Sequence, residues 1–375
     1  MKEKKDALRI WKTIAIIAVI AALVMTALFC VHVVRAPKTG TPTGDPLSLW
    51  TDGCVAKEQL VSFVNAVTDE NNPDYIPPED RIAVFDMDGT LVAELNPTYF
   101  VCYLYEWRVL KDPDFEPTAE QISLAEEIRD AGLTNAYTAE KVEEHTKEYA
   151  KVFEGMTQQE FADYVADVLK QDADGFTGMK YGDSFFQPMV EVIEYLQDHD
   201  FTIYVCSGSD RDTCRAILKE HTDIPDRQII GTDVGLDASG QDGAAGLGYQ
   251  MTPEDKVIRT DRVSEKNEKM NKVSHIAEEI GRQPVLSFGN SSGDQSMHMY
   301  TITGNPYKSA AFMLIADDDE RDYGNPEKGE ELRTKWEGMG FHVISMKDDF
   351  RTIYGDDVKK TGTFRWTEEF SSGRE

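Results

Sequence analysis

Short apolar runs recur along the chain at Ile82–Phe85, Phe201–Cys206, Gln228–Gly231, Val285–Phe288 and Ala311–Ala316, each ending in polar or glycine-rich residues. Between most of them apolar positions fall at helical spacing, as in Met189–Leu196 and Val273–Ile280. Alternating strand and helix patterns predict an α/β fold around a parallel sheet, with ligands at the carboxyl ends of the strands. Upstream, Leu60, Val61, Phe63, Val64 and Val67 predict a helix over 57–67 that packs on this core. One interval breaks the rhythm. More than 100 residues separate the first two strands, with helical patterns near Tyr99–Leu110, Ala119–Ala131, Thr138–Phe153 and Gln158–Leu169. Thr118 to Gln121 and Thr157 to Glu160 have the spacing of capping boxes. The expected organisation is a core formed by 57–91 and 184–375, with a helical cap, 92–183, inserted after the first strand. A second insertion, Asp233–Gln250, is dense in Gly and Asp and predicts a loop or hairpin.

A different pattern occupies the N-terminus. Thr13–Val34 is a run of 22 residues without Asp, Glu, Lys or Arg, and as a helix it would reach ~33 Å, enough to cross a bilayer. The run is long for a signal peptide, and Val34-Arg35-Ala36 followed by Pro37 is a poor cleavage site. Phe29 likewise argues against a lipoprotein signal ending at Cys30. The expectation is a single uncleaved anchor over 13–34, a basic cytoplasmic flank over 1–12 and a tether over 35–56. Lys2, Lys4, Lys5, Arg9 and Lys12 precede the span, and only Arg35 and Lys38 follow closely. That asymmetry keeps the N-terminus cytoplasmic and sends the rest outside.

Charge narrows the partners. The chain of 375 residues carries a formal −29. Seven of its 39 basic and two of its 68 acidic residues lie in 1–38, so the remainder stands at −34. Such a field repels nucleic acid and anionic lipid surfaces, and nothing in the sequence points to a protein partner. The five cysteines are too scattered for a disulfide scaffold or a zinc site. Cys206 reads as core packing, and a Cys54–Cys102 bridge is left open.

The first strand runs into Asp86-Met87-Asp88-Gly89-Thr90-Leu91. Two carboxylates two residues apart beyond a buried strand are costly unless a cation or ligand compensates them. One can attack phosphorus while the other protonates the leaving oxygen and then activates water. Gly89 and Thr90 predict a tight turn with amides aimed at a phosphate. A calcium loop beginning at Asp86 fails, because Leu91 and Pro97 stand where Gly and Glu are needed. Ser207-Gly208 ends a second strand with a hydroxyl and an unobstructed amide. Lys272, with Lys256 and Lys269 as rivals, can neutralise phosphate charge. Asn290 or Asp294, in Gly289-Asn290-Ser291-Ser292-Gly293-Asp294, can complete a Mg²⁺ shell begun by Asp86 and the Asp88 carbonyl. Glu94, where the cap begins, is placed to touch substrate but reads first as a helix-capping or solvated residue, and Asp317-Asp318-Asp319-Glu320 reads as a solvated loop in preference to a second metal site.

Asp-x-Asp-Gly-Thr, a strand ending in Ser-Gly, a lysine opening a helix and Gly-Asn-Ser-x-x-Asp-x-x-Met follow in that order between about Arg81 and Met297. In this the sequence resembles the haloacid dehalogenase superfamily, specifically its phosphoserine-phosphatase-like branch. The resemblance implies a three-layer, Rossmann-like parallel-sheet core with an inserted cap. It implies that Asp86 forms an aspartyl-phosphate, that Asp88 is the acid and base, that Ser207 and Lys272 hold phosphate and that the fourth motif binds Mg²⁺. One departure stands out: the branch usually has Asp where this chain has Asn290. The expected function is Mg²⁺-dependent hydrolysis of a small phosphomonoester outside the cytoplasmic membrane. The alternative is a cell-surface binding protein that keeps the fold without catalysis, for which Asn290 is the one supporting feature.

Overall fold

The computed structural model describes residues 46–94, 99–134 and 139–362. The expected anchor over 13–34 lies outside the described residues, and among these no helix is long and apolar enough to cross a membrane. In chain order the elements are α1 (Val55–Thr68), β1 (Ile82–Phe85), α2 (Phe100–Leu110), α3 (Ala119–Thr134), α4 (Ala139–Val152), α5 (Gln158–Leu169) and β2 (Phe176–Thr177). There follow α6 (Gln187–Gln197), β3 (Thr202–Asp210), α7 (Arg211–Leu218), β4 (Ile229–Thr232), β5 (Val234–Ala238), β6 (Val257–Val263) and α8 (Met270–Glu279). The last are β7 (Leu286–Gly289), α9 (Gln295–Ile302), β8 (Ala310–Ile315), α10 (Pro326–Gly338), β9 (His342–Ser345), the single turn α11 (Met346–Asp349) and β10 (Lys359–Lys360).

Six strands form one parallel sheet in the order β4-β3-β1-β7-β8-β9. The apolar runs in β1, β4, β7 and β8 are buried along their whole length, as a sheet covered on both faces requires. Phe85, Phe288 and Phe312 stack across β1, β7 and β8, with ring centroids 4.3 and 5.2 Å apart. The chain leaves β1 for β3 on one side and later returns for β7 on the other. That reversal opens a crevice at the carboxyl end of β1, where ligands bind in sheets of this kind.

The insertion leaves the core after β1 and returns beside its own start. The Ala93 amide donates to Ser184 O at 2.9 Å, and Val92 bridges to Phe185. Helices α2 to α5 fill it. Both capping boxes form: the Thr118 hydroxyl takes the Gln121 amide while Gln121 takes the Thr118 amide, and Thr157 and Glu160 do the same. The second insertion is a hairpin, but it is longer than Asp233–Gln250, because β5 pairs antiparallel with β6 as far as Val263.

Other expectations are corrected. The end of the 35–56 tether is not free chain: Leu47 and Trp50 are fully buried, and the Trp50 indole donates to Pro188 O at 3.0 Å. The acidic run 317–320 is not a solvated loop throughout. Asp317 and Asp318 are buried, accepting hydrogen bonds from the Ser345 hydroxyl, the Lys347 amide and Arg321. Hydrogen bonding to strand ends and an arginine offsets the desolvation that a bare acidic run would suffer. Cys54 and Cys102 are both free thiols.

Candidate active site

Asp86 is delivered by β1, its amide tied to Phe288 O of β7 at 2.8 Å. Lys272, two residues into α8 and 2% exposed, sits between two carboxylates. Its ammonium donates to Asp86 Oδ1 at 2.5 Å and to Asp294 Oδ1 at 2.6 Å. The structure therefore selects Lys272 over its rivals. Lys256 is largely exposed beside Glu160. Lys269 has a φ of +55°, rare for a residue with a side chain, and its amide donates to Gly293 O at 2.8 Å, tying the start of α8 to the fourth motif.

Asp88 has a different environment. Its Oδ2 accepts the Ser209 hydroxyl at 2.7 Å and the Ser207 hydroxyl at 3.3 Å. These serines project from β3, which runs beyond Cys206 to Asp210 with a register shift against β4. Ser209 escaped the sequence reading because only tertiary contact gives it a role. Asn267 is a second such residue. Fully buried, it donates through Nδ2 to Ser207 O at 2.9 Å, while its amide N–H meets Thr232 Oγ at 3.0 Å. Gly208 lies under the Glu268 side chain, which a Cβ at this position would meet at 3.1 Å.

The turn after β1 corrects one expectation. The Thr90, Leu91 and Val92 amides all donate to Met87 O, and the Gly89 amide donates to Val92 O at 2.7 Å. The amides of Gly89 and Thr90 are thus spent closing the turn on itself and are not aimed at a phosphate. The Thr90 hydroxyl instead reaches Asp86 Oδ2 at 3.5 Å. Gly89 is required for another reason. Its φ is +76°, and a Cβ there would fall 2.0 Å from Asn290 Nδ2 and 2.6 Å from Glu94 Oε2.

In the fourth motif Asp294 Oδ2 accepts the amides of Asn290 and Ser291 at 3.1 and 3.0 Å and the Ser291 hydroxyl at 3.2 Å. With Oδ1 on Lys272, both oxygens are engaged. Asn290 donates from Nδ2 to Glu94 Oε2 at 3.0 Å. Glu94 thus joins the site and is not the solvated cap expected.

The electrostatics follow from crowding. Burial pushes the Asp86 carboxyl well above the usual range, neighbouring Asp294 adds to this and Lys272 opposes it. Burial also raises Asp88, against the hydrogen bonds from Ser209 and Ser207. Burial works against the charge on Lys272 too, but Asp294 and Asp86 hold it firmly protonated. Glu94 is partly open at its surface yet densely surrounded by protein. Burial, followed by Asp88 and Asp294, lifts it to about 8 against the bond from Asn290.

Residues 83–298 match the haloacid dehalogenase-like hydrolase family. The chain belongs to this family. The matched stretch runs from β1 to α9 and so contains every residue placed in the site above. No curated protein matches the chain significantly. Among solved structures it is similar to a conserved protein of unknown function from Anaerococcus prevotii, at 15% identity over 77% of this chain and 91% of that one, with a TM-score of 0.46. It is similar to cytosolic 5'-nucleotidase IIIB bound to cytidine at 14% identity over 83% and 90%, with a TM-score of 0.45. A phosphoserine phosphohydrolase-like protein from Francisella tularensis gives 14% over 70% and 94%, with a TM-score of 0.40.

In this haloacid dehalogenase-like hydrolase, the donor set suits a hard cation. Asp86, Asp88 and Asp294 are three buried carboxylates against one buried ammonium, Lys272, a deficit that an oxygen-preferring divalent ion would offset. Among the described residues no three His, Cys, Asp or Glu side chains form a metal cluster by themselves. A cation here therefore needs the Asn290 amide oxygen or a backbone carbonyl as well.

Proposed function

We propose that this hydrolase is a Mg²⁺-dependent phosphomonoesterase that works through an aspartyl-phosphate on Asp86, on a small substrate outside the cytoplasmic membrane. The observation that carries this reading is the division of labour between two carboxylates from one turn. Asp86 meets an ammonium and Asp88 meets two hydroxyls. Asp86 attacks phosphorus, the ester P–O bond breaks, and Asp88 gives its proton to the departing oxygen. Asp88, now ionised, takes a proton from water as the water oxygen attacks phosphorus. The acyl-phosphate P–O bond then breaks, phosphate leaves and Asp86 is restored.

Burial raises the proton affinity of both carboxyls, but the Lys272 ammonium opposes this at Asp86 and favours its ionised form, while Asp88, facing hydroxyls, can arrive protonated for the first step. Lys272 holds Asp86 in place and neutralises charge on the phosphoryl group. Mg²⁺, held by Asp86, the Asp88 carbonyl and Asn290, with Asp294 bracing the loop, would supply further charge neutralisation on the phosphoryl oxygens. The outside location rests on the apolar run over 13–34 and its basic flank.

The test is turnover of a panel of phosphomonoesters by the full-length protein with Mg²⁺ and with EDTA. Metal-dependent release of phosphate is expected, and Asp86→Asn abolishes it because an amide cannot attack phosphorus. Beryllium fluoride with Mg²⁺ should raise the Tm of the wild type. No turnover and no shift would leave a non-catalytic binding protein. Protease added to intact cells should remove the catalytic domain, and its protection would reverse the topology.

A further inference from the structure

A carboxylate presents an oxygen to a cation whichever way it turns, but an amide does not. Exchange of Asp for Asn at a metal position gives the side chain a wrong end, the NH₂ group, which carries donors only. At position 290 something must therefore decide which end faces the cation. The structure supplies one acceptor in the right place. Glu94 Oε2 accepts a hydrogen bond from Asn290 Nδ2 at 3.0 Å, across 196 positions of chain. The two groups meet over Gly89, where the missing Cβ leaves room for both. The other side of the Asn290 backbone is fixed independently, because its amide N–H donates to Asp294 Oδ2 at 3.1 Å. With the nitrogen end committed to Glu94, Oδ1 is the end left for a cation.

We propose that Glu94 is a positioning residue that orients the Asn290 amide so that its carbonyl oxygen serves as the metal ligand. This rests on the reading of the site as a Mg²⁺ site. Glu94 does for the amide what carboxylates do for metal-bound imidazoles: it fixes which atom is presented, a role whose loss typically weakens metal affinity about 10–100-fold. Hydrogen-bond acceptance does the orienting, so glutamine, which keeps an acceptor oxygen, can substitute, and methionine cannot.

The experiment is calorimetric titration of Mg²⁺ into the full-length protein, as wild type, Glu94→Met, Glu94→Gln, Asn290→Asp and Glu94→Met/Asn290→Asp. Unfolding in EDTA shows that each variant is folded, with Glu94→Ala as a second acceptor-free variant. Glu94→Met should weaken Mg²⁺ binding by about tenfold or more, and Glu94→Gln by less than about threefold, since its oxygen still accepts. In the Asn290→Asp background Glu94→Met should change little, because a carboxylate has no wrong end. That non-additivity is the signature of the orienting contact. Equal loss in both backgrounds overturns the proposal, and so does unchanged Mg²⁺ affinity in Glu94→Met. A Glu94 that merely touched substrate would shift KM and leave Mg²⁺ binding alone, which also overturns it. If the wild type binds Mg²⁺ and the cycle behaves as expected but no phosphoester is turned over, it is the phosphatase reading that fails.

Discussion

Asp86 and Asp88 are identical side chains two positions apart, and their neighbours make them chemically different. In the proposed mechanism Asp88, held by two hydroxyls instead of an ammonium, is the group that gives up the proton, so Asp88→Asn should keep the shape and lose the acid. Hydrolysis of an alkyl phosphate is expected to fall by on the order of 10²–10⁴. An aryl phosphate with a nitro-substituted leaving group, which departs without a proton, should lose much less. Steady-state rates on the two substrates check this, and equal losses would take the acid role away from Asp88. A second residue carries a pH signature of its own. Burial, reinforced by Asp318, lifts the Asp322 carboxyl from 3.8 to about 6, against bonds from the Tyr323 amide and Tyr354 hydroxyl. The folded state thus binds this proton more tightly than the unfolded chain. The stability it contributes is complete below about pH 4 and is lost as pH rises through about 6. Asp322→Asn should therefore gain up to about 3 kcal/mol over wild type at pH 8 and nothing below pH 4. Urea unfolding at the two pH values measures it. At this scale the sequence disclosed residues that belong to local motifs, such as Asp86, Asp88 and Lys272. It did not disclose Ser209 or Asn267, and it flagged Glu94 without its Asn290 partner, because those roles come from groups brought near by folding.

Elements read from apolar periodicity were legible because burial of one face or a whole strand leaves a repeating trace. The strands β1, β3, β4, β7 and β8 and the cap helices all carry it. Contacts between elements leave no such trace. Leu47 and Trp50 stand in an apolar stretch too short to show a helical or strand period, and Asp317 and Asp318 look like any acidic loop until β9 and Arg321 meet them. The least visible device is Arg259 of β6. Fully buried, it donates to Asp212 Oδ2 at 2.6 Å and Asp210 Oδ2 at 2.8 Å, with its guanidinium 3.9 Å from the Phe161 ring centre. Its backbone pairs with Gly155 and Met156 between α4 and α5. Asp210 also takes the amide and hydroxyl of Thr213 at 2.9 Å, and the Thr213 hydroxyl meets Tyr149 at 2.7 Å. One arginine thus fastens hairpin, cap and the end of β3 together. Arg259→Met leaves the buried Asp210 without its cationic partner, while the half-buried Asp212 keeps Arg215, and should cost about 3–5 kcal/mol in urea unfolding. Arg259→Lys should recover only part of this, since an ammonium cannot fork to both acids. A loss below about 1 kcal/mol, the range of exposed ion pairs, would show that the network is not what holds the cap.

At the scale of the molecule, a strongly anionic protein surrounds the site proposed for an anionic phosphoester. Two consequences separate small phosphoesters from large ones. The insertion begins directly after the Asp86–Asp88 turn, and Glu94 within it stays at the site through the hydrogen bond it accepts from Asn290. A cap so placed can exclude water around a small bound phosphoester, and with α4 and α5 fastened through Arg259 it has little freedom to swing aside for a folded protein. The net charge of −29 adds a long-range term that repels phosphoproteins and nucleic acids more strongly than a compact phosphoester of low charge. The kcat/KM for small phosphomonoesters is therefore expected to exceed that for a folded phosphoprotein by about 100-fold or more, the scale on which like-charge fields and exclusion act on association. Raising ionic strength from 20 to about 200 mM shortens the screening length to below 10 Å. The rate on the phosphoprotein should then rise proportionally more than the rate on the small ester. Comparable rates on both at low salt would sink this reading, and the cap would then have to be a docking surface for protein.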